Sequence, residues 1–200
     1  MNNSILNKSD FNKHMIGWVY SKMHDHYVSC KGPYEGFEAF LLSRMTMVTF
    51  NFDQNKIRNK YSSEEEIMSY GHFEMKQFNH FYNLDCRKAM GRKYIKSPSD
   101  QKPFSIVCMD VNGSRYRKEM GDIENIHLHS IWLMDNEMKD SFNEIKEKAL
   151  SPDGSFDIKE IDEKSYTGDI KRVISYALKF EAFNMYKGEF SDTFAFYPKM

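Results

Sequence analysis

The chain has 200 residues, enough for one large domain or a core domain with an N-terminal extension. At 40% hydrophobic and 15% aromatic it has ample material for a core, and its 28 basic and 29 acidic residues nearly cancel. That balance excludes a global field aimed at a polyanion, so any DNA path must be a local basic patch.

Residues 1–44 read as a helical extension packed on the main domain. Phe11 to Tyr27 predicts a helix with Met15, Trp18, Val19 and Met23 inward, although the spacing is imperfect. Within it, His24-Asp25-His26 lies among polar residues and reads as solvated surface. Lys31-Gly32-Pro33 is a break, and Glu35 to Arg44 predicts a second helix. The N-terminus lacks an apolar signal region and no run reaches membrane-span length, so a cytoplasmic protein without a membrane partner is expected. Three cysteines, Cys30, Cys86 and Cys108, form no CxxC and leave one unpaired, which suits a reducing compartment.

Thr46 to Phe52 is rich in β-branched and aromatic residues and predicts a strand. Asp53 to Lys60 reads as polar loop. Ser62 or Ser63 ahead of Glu64-Glu65-Glu66 starts a long helix, with acids near its positive end. Ile67, Tyr70, Phe78, Phe81 and Tyr82 share one face of that helix, which ends near Gly91. Arg87, Lys88, Arg92, Lys93 and Lys96 form the densest basic stretch, either a solvated helix end or a contact for phosphate.

Phe104 to Val111 is a near-continuous apolar strand, and Asn112-Gly113 a turn signal. Ser114 to Asn125 carries Arg115, Arg117 and Lys118, so a hairpin with a long basic tip is expected. Its second strand contains His127-Leu128-His129 within Ile126 to Met134. Alternation on a strand puts both imidazoles on one face and Leu128 on the other. Such a pair is either hydrogen-bonded core or the start of a divalent-metal site, since imidazole is the commonest metal ligand.

Asp135 or Asn136 caps the next helix, where Met138, Phe142, Ile145 and Ala149 keep i, i+4, i+7, i+11 spacing. Phe156 to Ile161 alternates as a half-exposed strand does. The last helix starts near Thr167 to Asp169, with Ile170, Val173, Ile174, Ala177 and Leu178 as its apolar stripe. Tyr176 lies off that stripe beside Arg172 and Lys179, at i−4 and i+3. Such a residue is either a surface tyrosine or a phenol placed to attack phosphate. An aromatic tail, residues 184–200, closes the chain. The order β-α-β-β-α-β-α predicts an α+β fold: a ferredoxin-like (RRM-like) antiparallel sheet with helices on one face.

Together these elements resemble the HUH single-strand endonucleases, in their Rep branch of rolling-circle replication initiators. The family's histidine motif stands here as His127-Leu128-His129, and its V-x-x-Y-x-x-K motif as Val173 to Lys179 with Tyr176 inside. Met47-Val48-Thr49-Phe50-Asn51 loosely matches its first, threonine-bearing strand. The tyrosine follows the histidines, as in Rep proteins and unlike relaxases, and the resemblance covers about residues 45–183.

The resemblance implies Mg²⁺ or Mn²⁺ on His127, His129 and a third ligand, with Asp110 the first candidate and Glu119 and Glu124 the alternatives. It implies Tyr176 as nucleophile and Lys179 as the residue that positions phosphate or favours the phenolate. Arg172, Arg87, Lys88, Arg92, Lys93, Arg115, Arg117 and Lys118 are the expected DNA contacts. The implied function is nicking and strand transfer on single-stranded origin DNA through a 5′-phosphotyrosine, with a host helicase and polymerase as further partners. A single tyrosine favours this over two-tyrosine initiators, Tyr186 being too far on to act as an i+4 partner. The alternatives are a non-catalytic single-strand-binding module on the same fold and a single-strand transposase of the same superfamily. A two-histidine phosphoesterase is set aside, because it needs a second H-x-S/T motif that the chain lacks.

Overall fold

Why the central strands read as unbroken apolar runs is answered by the layers around them. In chain order the computed structural model contains α1 (Lys8–Ser29), α2 (Phe37–Arg44), β1 (Met45–Phe52), α3 (Gln54–Tyr61) and α4 (His72–Met90). Then follow two 3-10 turns, β2 (Phe104–Asp110), β3 (His127–Leu133), α5 (Asn136–Leu150), β4 (Ile158–Ser165), α6 (Ile170–Ala177) and β5 (Phe194–Tyr197). The structure describes residues 8–30, 34, 36–61, 71–111, 125–179 and 193–198. The strands form one sheet in the order β4-β1-β3-β2-β5, and every neighbouring pair is antiparallel. The first four strands in this order make the split β-α-β arrangement expected from the sequence.

One face of the sheet turns Val48, Phe50, Val107, Met109, Leu128 and Trp132 toward Phe78, Phe81 and Tyr82 of α4 and Phe142 of α5. The opposite face turns Met45, Phe104, Ile106, Cys108, Ile131 and Leu133 toward α1, α2 and α6. Helices therefore cover both faces, where the sequence reading had them on one. The physical reason lies in β2, which is buried at every position and needs apolar cover on both sides. The N-terminal helices supply that cover with α6, so α1 and α2 are part of the core layer.

Three further elements differ from expectation. The segment taken as polar loop after β1 is the helix α3. Asp53 caps it, its Oδ1 accepting from the amides of Asn55 and Lys56 at 3.1 Å each, and Ile57 is buried. The long helix begins only at His72, after Gly71 in the left-handed region at φ 84°. A Cβ on Gly71 would lie 2.1 Å from Met109 Sδ, so side-chain crowding and backbone both demand glycine there. Ile67 and Tyr70 lie outside the described residues.

The aromatic tail contributes β5, which pairs with β2 at the sheet edge and packs Phe194 and Phe196 against Trp18. In the N-terminal H-x-H triplet His24 is exposed, as read, but His26 is buried at 8% exposure against Phe40 and Phe104. Burial, with Arg44 nearby, pushes the His26 imidazole down to about 4.

Candidate active site

Strand pairing assembles the site. Residues directly opposite in an antiparallel pair point to the same face. Asp110 of β2 pairs with His127 of β3, which pairs with Asn51 of β1, which pairs with Glu160 of β4. One residue along, His129 pairs with Thr49, and Thr49 with Asp162. These two rows run across one end of the sheet, on the face that α6 covers in part.

Three groups converge on a single oxygen. His127 Nε2 lies 3.1 Å from Asp110 Oδ2, His129 Nε2 lies 3.2 Å from it, and Lys179 Nζ lies 2.5 Å from it. Asp110 is 1% exposed, so this carboxylate is compensated almost entirely by its protein partners. Asp110, His127 and His129 each offer a ligand atom, and these atoms all lie within 4.8 Å of one another. The cluster could hold a metal ion. Of the sequence candidates for the third ligand, Asp110 is in place, whereas Glu119 and Glu124 lie outside the described residues.

The outer nitrogens test whether the donor set suits a cation. His127 Nδ1 lies 3.0 Å from the Asn125 carbonyl, which can only accept, so Nδ1 carries the proton there. Asn125 has φ 54°, a left-handed conformation asparagine tolerates, two residues ahead of the ring that its carbonyl meets. A neutral His127 then turns the Nε2 lone pair toward the carboxylate, an arrangement that requires an intervening cation or a second proton. His129 Nδ1 lies 3.1 Å from Thr49 Oγ1. A hydroxyl can accept from Nδ1 and so leave Nε2 bare as a ligand atom. Burial pushes the His129 imidazole below its ordinary value, with the Asp110 hydrogen bond opposing, and this favours the neutral, ligating form. The residues therefore fit a divalent cation.

Tyr176 stands beside this cluster because α6 seats Ile174, Ala177 and Leu178 on the sheet. The helix is capped by Asp169, whose Oδ1 accepts from the Arg172 amide at 3.0 Å. Off the stripe, the Tyr176 ring lies 4.9 Å from the His129 ring, centroid to centroid, and the residue is 44% exposed. The Lys179 ammonium sits 4.5 Å from the centre of the Tyr176 ring while bonded to Asp110. Lys179 thus ties the phenol-bearing helix to the histidine cluster. A cleft of about 460 Å³ opens here, lined by His127, His129, Tyr176, Thr49, Asn51 and the β4 side chains Lys159, Glu160, Asp162 and Lys164.

Of the basic residues in the sequence reading, Arg87, Lys88, Arg92, Lys93 and Lys96 lie away from this cleft. Arg87 and Lys88 end α4, which packs on the opposite face, and Lys88 pairs with Glu144 at 2.7 Å. Arg92, Lys93 and Lys96 follow on the way into β2, whose first residue, Phe104, pairs with Leu133 at the sheet end remote from His127. Arg172 is exposed in the first turn of α6. Arg115, Arg117 and Lys118 lie outside the described residues, as does Tyr186. Sequence reasoning missed the hydrogen bond of Thr49 to His129, the carbonyl of Asn125, the Lys179–Asp110 pair and the polar side chains of β4. Pleat parity could have set Thr49 and Asn51 on a common face, but not beside the histidines, because long-range register carries no local mark.

Cys30, Cys86 and Cys108 form no disulfide with one another. No helix among the described residues is long and apolar enough to cross a membrane. In comparisons with known proteins, no family model, curated protein or solved structure matches the chain.

Proposed function

We propose that the protein is a metal-dependent endonuclease and strand transferase of the HUH type, Rep branch. It nicks single-stranded origin DNA through Tyr176 and initiates rolling-circle replication of a plasmid or phage element. One observation carries the reading: a half-exposed phenol lies 4.9 Å, ring to ring, from an imidazole of the Asp110–His127–His129 cluster, in one cleft. The order of the histidine and tyrosine motifs supports it.

Asp110, His127 and His129 would hold Mg²⁺ or Mn²⁺, which when bound would supply positive charge to offset the negative charge that builds in the transition state. Thr49 and Asn125 hold the two rings with their Nε2 atoms toward that position. Lys179, 4.5 Å from the centre of the Tyr176 ring and bonded to Asp110, sets a positive charge beside the phenol and the incoming phosphate. Tyr176 Oη attacks the scissile phosphorus; the new bond is Tyr176–O–P, and the bond broken is the one to the 3′ oxygen. The phenol proton leaves to solvent through the open cleft, and the departing oxygen takes up a proton as a free 3′-hydroxyl. Because the phosphotyrosine keeps a phosphodiester linkage, a 3′-hydroxyl can attack it in turn and rejoin the strand without a nucleoside triphosphate.

The test is to mix the protein with labelled single-stranded DNA and Mn²⁺ and look for a denaturation-resistant adduct. The adduct is expected with wild type and absent from Tyr176→Phe; an adduct that persists in that variant overturns the assignment. A second reading has one observation in its favour. Lys179 pairs directly with Asp110, so the cluster can neutralise itself as an ion-pair network inside a non-catalytic single-strand-binding module. That module would bind DNA equally in the presence of a chelator and form no adduct.

A further inference from the structure

We infer that the cleft beside the histidine cluster holds the base of the nucleotide adjoining the scissile phosphate, and that Asn51 and Glu160 select guanine there. The inference rests on the nicking reading above.

Asp110, His127, Asn51 and Glu160 form one lateral row from four adjacent strands. Neighbouring strands stand about 4.8 Å apart, so Asn51 is about one spacing, and Glu160 about two, from His127. That reach matches the nucleotide whose phosphate lies at the cluster, and a cleft of about 460 Å³ admits it.

β4 contributes nothing to the apolar layer on this face, and Lys159, Glu160, Asp162 and Lys164 are all exposed. Two cations and two carboxylates make a platform with no net charge, and Lys164 already pairs with Asp162 at 3.4 Å. A groove that tracks the phosphate backbone would be basic throughout. Carboxylates facing the strand instead suit base edges, to which they offer acceptors alone.

The hydrogen-bond directions decide which base. Asn51 Nδ2 donates to Glu160 Oε2 at 3.1 Å. Since a carboxylate only accepts, the amide nitrogen must face it, and Asn51 Oδ1 is turned elsewhere. Asn51 thereby fixes the Glu160 carboxylate, whose Oε1 and second Oε2 lone pair remain as two neighbouring acceptors on one group. Guanine presents two adjacent donors on its Watson–Crick edge, N1–H and the 2-amino group. Adenine and cytosine present one amino group beside an acceptor nitrogen, and thymine presents one N–H between two carbonyls. Guanine alone sets two parallel N–H donors against the two oxygens of this carboxylate, whereas the ring acceptor beside the amino group of adenine or cytosine meets its negative charge.

The test is fluorescence anisotropy of thymidine 13-mers with a single central guanine, inosine, adenine or cytosine, using Tyr176→Phe protein so that nothing is cut. The guanine oligomer is expected to bind at least about tenfold tighter than the others. Inosine, which lacks only the 2-amino group, should lose most of that margin. Glu160→Gln, checked for an unchanged melting temperature, should erase it. Equal binding of the four oligomers, no measurable binding of any, or a guanine preference that survives Glu160→Gln overturns the inference. Adduct formation by wild type on a mixed single-stranded pool is scored separately. Adduct without base preference refutes the guanine site alone, whereas base preference without adduct refutes the nicking reading alone.

Discussion

Replacing Asp110 by asparagine keeps the shape of the side chain and removes the charge on which His127, His129 and Lys179 converge. Breaking one partner of a buried ion pair costs about 3–5 kcal/mol when the other charge stays buried. The Lys179 side chain is 23% exposed and can swing into the open cleft, which lowers the expected loss to about 1–3 kcal/mol. Metal affinity should fall further. The substitution deletes a ligand with a formal charge, whereas losing a mere supporting group already costs 10–100-fold, so a drop of at least about 100-fold is expected. That is about 2.8 kcal/mol of binding free energy. Urea unfolding of the metal-free proteins measures the first quantity, and calorimetric titration with Mn²⁺ the second. Wild-type stability should also climb with Mn²⁺, by about 2.7 kcal/mol at a hundred times the dissociation constant. Mn²⁺ affinity within twofold of wild type in Asp110→Asn would refute the cluster as a cation site.

Thr49→Val keeps the branched shape but removes the hydroxyl that orients His129, and should weaken Mn²⁺ binding about 10–100-fold with the fold intact; unchanged affinity in calorimetry would show that Thr49 does not position the ring. Asp85 is fully buried between α4 and α5 with neither carboxyl oxygen hydrogen-bonded among the described residues, and burial pushes it from 3.8 up to about 7. Between those values the unfolded chain has lost the proton that the folded chain keeps, so stability should fall as pH rises from about 4 to about 7, by on the order of 4 kcal/mol. Urea melts across that range should show this slope in wild type and lose most of it in Asp85→Asn; parallel profiles would contradict the assignment. Gly71→Ala forces a Cβ onto Met109 at a left-handed position and should cost about 2–4 kcal/mol, read as a lower melting temperature.

The parts of the site that sequence revealed are those with local marks. His127 and His129 could be put on one face because a strand alternates and Ile126 to Met134 could hardly be anything else. Tyr176 could be separated from the stripe of α6 by helical spacing alone. Asp110 was within reach because a hairpin brings the end of one strand opposite the start of the next. What sequence did not reveal depends on partners distant in the chain. The pairing of Asn51 with Glu160 joins residues 109 apart, and nothing near either one announces it. His26 looked solvated because its neighbours are polar, yet α1 rolls it under Phe40 and Phe104. α3 was missed because a short helix with a single described inward residue, Ile57, has no apolar period to detect. β5 is a four-residue edge strand whose aromatic letters fit an unstructured tail equally well.

The central claim is that one phosphate meets both the phenol of Tyr176 and the cation site of Asp110, His127 and His129. It is tested most directly by intact-protein and peptide mass spectrometry after incubation with single-stranded DNA and Mn²⁺. The expected result is a nucleotide mass attached to the peptide containing Tyr176, absent when the cation is chelated or Asp110 is changed to asparagine. Modification of a different residue, adduct that forms equally under chelation, or no adduct with any single-stranded substrate would contradict it.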